Sequence, residues 1–261
     1  MRKIKPSKVF KQTIHISFYM EKPYIKQILN VSDIKVWLVD GRYIRDNIDV
    51  EFPNFGQHYK FKYIPKDEFW IDQKETIGEE SFYIEHLLIE HKLMSQGMSY
   101  EDAITKASNA ERRMRKKALM AKLGIAEMPN KEISMQMIKK LQIECYSGYV
   151  KVWLVDANLI RNLFYIDFTQ GGHDYVYKFV PKNEVWLDEE ISERERKFIL
   201  LHELHERFLM ANEMDYAKAH IDSSSLEYNC RQHPEDLDRL LQEELTKNNN
   251  FEKARLNAKK I

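Results

Sequence analysis

The sequence predicts an α+β fold built from two tandem copies of a small antiparallel sheet followed by a helical hairpin, related by a pseudo-twofold. Three observations carry this reading. Lys35-Val36-Trp37-Leu38-Val39-Asp40 recurs letter for letter as Lys151 to Asp156, a shift of 116 residues. The same shift holds without a gap from Ile34 to Arg115, and 30 of those 82 positions are identical, where average compositions would match by chance at roughly five or six. Within each copy, short apolar and period-two runs give way to helical spacing, the order of a sheet followed by helices. Duplicated units tend to bury equivalent faces against each other, which gives the pseudo-twofold.

Residues 1–33 read as an N-terminal extension with a strand. Its basic start, Met1 to Lys11, leads into Thr13 to Ser17, which alternates like a strand and lacks the continuous apolar core of a signal peptide. Repeat one spans 34–122, a linker 123–140, repeat two 141–233, and a C-terminal helix and tail 234–261. In repeat two the strand candidates are Val152 to Val155, Tyr165 to Phe168, Tyr175 to Val180 and Glu184 to Asp188. They are separated by turns that include Gly171-Gly172 and Pro181-Lys182-Asn183. The tryptophans at 37, 70, 153 and 186 fall at matching repeat positions inside these runs and read as core. Asp40/Asp156 and Asp72/Asp188 end strands and read as turn caps.

Ser192 to Glu195 has capping-box spacing, matched by Thr76 and Glu79 in repeat one. It predicts a helix from about Glu193 to Met210 and a second, capped by Asp215, to about Arg231. Between the repeats, Arg112 to Lys122 reads as a basic helical continuation ending at Gly124, with Pro129-Asn130 marking the linker.

Composition excludes more than it selects. At 261 residues, 43% apolar and 31% charged, the chain is long enough to bury a core. Lys+Arg and Asp+Glu balance at 41 each, so no net field favours nucleic acid or an anionic surface. Nucleic acid would have to use the Arg112 to Lys122 stretch, which lacks interleaved aromatics. No apolar run approaches a membrane span. Cys145 and Cys230 lie in different predicted elements without CxxC spacing, as expected of reduced thiols in a cytoplasmic protein.

The most informative stretch is Leu200 to Arg207. On a helix His202, His205 and Glu206 share one face, while Leu201, Leu204 and Phe208 form an apolar stripe that seats the helix on the sheet. On the following helix Tyr216, His220, Ser224, Glu227 and Arg231 share a face. An antiparallel hairpin brings Glu206 level with His220 and His202 near Ser224 and Glu227. His202, Glu206, His220 and Glu227 are therefore candidate metal ligands, with a divalent ion, zinc by donor type, as the expected cofactor.

The segment His202-Glu203-Leu204-His205-Glu206 resembles the active-site helix of zincin metallopeptidases, His-Glu-x-x-His, over about five residues. It departs at the last position, where Glu206 replaces the second histidine. The resemblance implies Glu203 as general base, with His202 and Glu206 as ligands, His220 as the third, and Arg231 or His205 steadying negative charge in a metal-dependent hydrolase of unknown substrate.

Repeat one retains His86, Glu90 and Glu111 at the places of His202, Glu206 and Glu227. Leu87, Ile89 and Ile104 replace Glu203, His205 and His220, and Gln57 stands for His173. Repeat one is thus the degenerate copy. The rival reading is a tandem-repeat module that binds a protein partner, with the His/Glu groups as a structural hydrogen-bond network.

Overall fold

A computed structural model describes residues 22–73 and 78–258. Repeat one consists of β1 (Tyr24–Val31), β2 (Ile34–Val39), α1 (Gly41–Asn47), β3 (Phe55–Gln57), β4 (Glu68–Asp72), α2 (Glu80–Ser95) and α3 (Tyr100–Leu123). Repeat two opens with α4 (Lys131–Ile138) and β5 (Lys139–Gln142). It continues through β6 (Lys151–Val155), α5 (Ala157–Leu163), β7 (Gly171–His173), β8 (Glu184–Asp188), α6 (Glu193–Ala211) and α7 (Tyr216–Gln232), and α8 (Leu237–Ala258) is the last element among the described residues. The two sheets have the same order, β1-β2-β4-β3 and β5-β6-β8-β7. The Trp37↔Trp70 register of one sheet returns as Trp153↔Trp186 in the other.

The sheets are mixed. Two of the three pairings in each are antiparallel, as expected, but the central pair, β2 with β4 and β6 with β8, is parallel. A parallel pair needs a crossover, which begins with α1 and α5, two short helices absent from the expectation. Asp40 and Asp156 cap them, accepting from the Tyr43 and Leu159 amides at 3.0 and 2.8 Å, so these two cap helices rather than turns, whereas Asp188 caps a turn by accepting the Glu190 amide at 3.0 Å and Asp72 pairs with Arg45 at 3.1 Å.

Tyr165 to Phe168 and Tyr175 to Val180 are turns rather than strands, and Gly171–His173, read as a turn, is the edge strand. The apolar residues of those turns are apolar because Phe168, Tyr177, Phe179 and Val180 pack over Trp186. Pattern alone does not separate turn-borne core anchors from a strand. The linker assigned to 123–140 contains α4, capped by Asn130, and the start of β5. The strand expected at Thr13 to Ser17, and Thr76, lie outside the described residues.

The helical hairpins fall close to their expected bounds. Ser192 accepts the Glu195 amide at 3.3 Å, Asp215 accepts that of Lys218 at 3.2 Å, and Gly124 ends α3 at φ 65°. Each sheet is covered on both faces, which is why β4 and β8 are buried along their whole length. In repeat two Leu200, Leu201 and Leu204 of α6 pack on Val152, Val185 and Leu187, and α8 adds Leu237, Leu241 and Leu245. Ile138, Ile160, Phe168 and Val180 cover the opposite face over Trp186. Trp70 and Trp186 are core, donating to Glu68 and Glu184 at 2.8 Å.

The repeats are joined by reciprocal ion pairs. Arg45 of repeat one donates to Glu195 of repeat two at 3.1 Å, and Arg161 of repeat two donates to Glu79 of repeat one at 2.9 Å. Positions 45 and 161 are equivalent under the 116-residue shift, as are 79 and 195. Arg231 likewise reaches Asp46 at 2.8 Å, and Arg115 reaches Asn162 at 3.3 Å. This exchange is the pseudo-twofold expressed in side chains. It gives Arg45/Arg161, Glu79/Glu195 and Arg115/Arg231 a structural reason to be identical in both copies. The glutamates at the starts of α2 and α6 are thereby drawn away from a full capping box into the interface.

Candidate metal centre

The hairpin of α6 and α7 brings three donor atoms together. Glu206 Oε2 lies 2.7 Å from His220 Nδ1 and 3.6 Å from His202 Nε2, and the two imidazole nitrogens are 3.3 Å apart. A tetrahedral ion held at the usual 2.0–2.1 Å has ligand-to-ligand edges of about 3.3–3.4 Å. The triangle is therefore already near the size that such an ion requires.

The remote nitrogen of each imidazole is held by a carboxylate. His202 Nδ1 is 2.9 Å from Glu227 Oε2, and His220 Nε2 is 3.1 Å from Glu51 Oε2. When these remote nitrogens carry the protons, the facing nitrogens present bare lone pairs to each other and to a carboxylate oxygen, an arrangement that needs a cation between them. Protons are one such cation. Although burial opposes it, the Glu206 and Glu227 contacts push His202 well above its ordinary value. His220 is pushed up to about 9 by its bonds to Glu206 and Glu51, against burial. Burial would raise Glu206, but bonds to His173, His202 and His220 hold its carboxyl well below the usual range. A divalent ion competes with the same protons.

His173 has a different part. Its Nδ1 accepts the Tyr175 amide at 3.2 Å, so in the neutral form the proton sits on Nε2, which donates to Glu206 Oε1 at 3.0 Å. Burial, outweighing the Glu206 contact, lowers its pKa and favours that neutral form. In repeat one Gln57 makes the same two bonds: its Oε1 accepts the Tyr59 amide at 3.0 Å and its Nε2 donates to Glu90 at 2.5 Å. His173, Glu203 and Glu206 also converge within 4.8 Å. A neutral imidazole ligating through Nε2 would need its proton on Nδ1, the atom facing the Tyr175 amide. His173 positions Glu206.

Glu203 makes no side-chain hydrogen bond or ion pair among the described residues. It lies beside Gly171, where a Cβ would come within 2.8 Å of Ile199 and 3.2 Å of the Glu203 carboxyl, so only glycine allows β7 to approach this closely. Burial and the neighbouring Glu206 charge push Glu203 up to about 8, against the lowering effect of His202 and His220. It borders a small cleft of about 110 Å³ together with His202, His220 and Glu51.

Three expected members stand elsewhere. Glu227 is behind His202, on the imidazole's far nitrogen, rather than among the converging donors. His205 points away from the cluster, with Nε2 3.0 Å from Asp222 and Nδ1 3.0 Å from Glu244 but not aligned as a hydrogen bond. Arg231 is consumed by Glu227, Glu195 and Asp46, so it is not free to meet developing charge. Sequence reasoning missed Glu51, which enters from the other repeat. A matching acidic residue, Asp167, at the shifted position was the available signal.

Repeat one keeps the frame without the convergence. His86 lies 2.7 Å from Glu111 and 3.3 Å from Glu90, while Leu87 and Ile104 occupy the places of Glu203 and His220. No protein-family model, curated protein or solved structure matches the chain. No helix among the described residues is long and apolar enough to cross a membrane, and Cys145 and Cys230 are unpaired.

Proposed function

We propose that repeat two is a mononuclear metal-dependent hydrolase site in which His202, Glu206 and His220 hold a divalent ion, zinc by donor type. One observation carries the reading: three donors converge with edges of 2.7–3.6 Å, and each imidazole is backed by a carboxylate. Carboxylate-backed histidines are the usual outer shell of metal ligands. The zincin-like order His202-Glu203 supports the same assignment, with Glu206 in place of the second histidine.

An ion held by His202, Glu206 and His220 would supply a more acidic water and a Lewis acid for the substrate oxygen. Glu203 is the group free to take the water's proton and hand it to the leaving group. Its raised value lies on the basic side of neutrality, and a nearby cation draws it down towards working pH. His173, Glu227 and Glu51 fix the orientation of Glu206, His202 and His220. Gly171 and Ile199 line the cleft beside Glu203.

A second reading is favoured by repeat one, where the His86 network persists without a third donor. There the frame is architectural, and the duplicated surface would serve a protein partner. The separating measurement is elemental analysis of untagged protein purified without chelator and reconstituted with zinc. About one equivalent, lost in both His202→Ala and His220→Ala, is the expected result. No retained ion in the reconstituted wild type removes the hydrolase reading and leaves the interaction module.

A further inference from the structure

The repeat that lacks the donors has a larger cavity. Where repeat one has Leu87, Ile104 and Phe55 in the places of Glu203, His220 and Gly171, the space is about 550 Å³, against about 110 Å³ at the repeat-two cleft. The larger volume is within the range of small-ligand sites. Leu87 and Ile166 in its wall are almost fully buried.

The two spaces adjoin. Glu51, Pro53 and Thr169 line both, because each repeat extends the loop after its short helix onto the other's hairpin. Tyr216, on the second helix of repeat two, also lines the large cavity. Its ring stacks on His220 with centroids 5.4 Å apart and planes at 27°. A group seated against Tyr216 is thus one ring away from a proposed metal ligand.

The charge of the walls selects what can enter. Glu51, Glu90, Glu111 and Asp167 contribute carboxylates to the large cavity, against Arg161 and Lys60. Arg161 is bound through two nitrogens to Glu79, and Lys60 lies at the exposed rim, 5.0 Å over the Tyr100 ring. His86 is enclosed between Glu90 and Glu111. Among the described residues lining the repeat-two cleft there is no lysine or arginine. In the large cavity, where four carboxylates outnumber Arg161, Lys60 and His86, a phosphate ester would enter against like charge, whereas an uncharged molecule would not.

We infer that the repeat-one cavity is the subsite for an aromatic or branched aliphatic side group of an uncharged, hydrogen-bond-donating substrate whose reacting bond lies at the repeat-two cluster. The catalytic half of this inference rests on the hydrolase reading. The subsite itself does not.

The test is a methyl-resolved NMR titration of the full chain, metal-free and zinc-loaded, with N-acetyl-phenylalaninamide and, separately, phenyl phosphate. Saturating shifts at the methyls of Leu87, Ile104 and Ile166 are expected for the amide in both forms, with none at these positions for the phosphate. Ile104→Trp, which fills the cavity, should weaken the amide at least about tenfold. Leu87→Phe provides the same comparison if that variant does not fold. Phosphate binding at these methyls as tight as the amide's, unmoved methyls, or equal affinity in the filled variants would overturn the subsite. Because the readout needs neither metal nor turnover, a chain that retains no zinc yet binds the amide here fails the hydrolase reading and keeps the subsite. A chain that holds zinc but leaves these methyls unmoved gives the reverse.

Discussion

The same backbone carries two different interiors at equivalent places. In repeat two, Glu206 is surrounded by His173, His202 and His220. In repeat one, Glu90 meets Gln57 and His86, and the place of His220 is taken by an aliphatic side chain, Ile104. Gln57 reproduces both bonds of His173, and Glu111 holds His86 as Glu227 holds His202. What is common to the repeats is therefore the frame that orients one histidine and one carboxylate. What differs is the third donor and the adjacent acid. Residue identity between the copies marks the frame, which includes His202 and Glu206, and the copies disagree at the third donor, His220, and at the adjacent acid, Glu203.

The comparison can be broken at a single position. Ile104→His adds the missing donor beside His86 and Glu90. Zinc stoichiometry of the reconstituted protein should then rise from about one to about two equivalents, as expected if the new site binds at about micromolar level, a total binding free energy of about −8 kcal/mol. An unchanged stoichiometry would mean that the frame does not by itself preorganise a metal site.

The shared ion pairs should behave alike in the two copies. Glu79→Ala removes the carboxylate of Arg161 and one of the two carboxylates of Arg115, which keeps Glu111, and Glu195→Ala takes one partner from Arg45, which keeps Asp72, and one from Arg231, which keeps Glu227 and Asp46. Each should lose about 3–5 kcal/mol in chemical denaturation. A large difference between them would show that the pseudo-twofold is unequal in energy.

Repeat one also carries a pH signature. Burial lowers the His86 pKa, but the bonds to Glu111 and Glu90 outweigh it and push the imidazole up to about 9. A value raised above the unfolded 6.5 means that this stabilisation is complete below pH 6.5 and is lost as pH rises through about 9. It amounts to about 3 kcal/mol. The difference in unfolding free energy between wild type and His86→Gln should shrink across that window, and a pH-independent difference would contradict the assignment.

The smallest effect is expected for His173→Gln, which installs the repeat-one arrangement. It should retain zinc with a stability change below about 1 kcal/mol. His173→Ala should lose zinc affinity by about 10–100-fold, the usual consequence of removing an outer-shell partner. Equal losses in both variants would make His173 a ligand rather than a positioning residue.

Much of the fold was readable because its signals are local. The 116-residue shift, the Ser192 and Asp215 caps and the stripe of Leu201 and Leu204 each act within a turn or two of chain, so the bounds of α6 and α7 came out within a residue or two. The His202, Glu206 and His220 set followed from the same spacing. The failures have the opposite character. Tyr175 to Val180 looked like a strand because its apolar residues serve a core formed at a distance, over Trp186. Arg231 and His205 looked catalytic because their partners, Glu195 and Asp46 in one case and Glu244 in the other, lie on separate elements.

The sequence by itself determined that the protein is a duplication, that each unit is a sheet followed by a helical hairpin, and that one copy alone has the full set of donors. These are properties of spacing along a chain. Only the tertiary structure decided that the central strands are parallel, that Glu79 and Glu195 tie each repeat to the other, and that Glu51 of repeat one reaches His220 of repeat two. Those facts depend on contacts between segments far apart in the chain, and for Glu79 and Glu195 on buried arginines that must find partners once both units are packed. An ion pair across the interface leaves no periodicity in the sequence from which to read it.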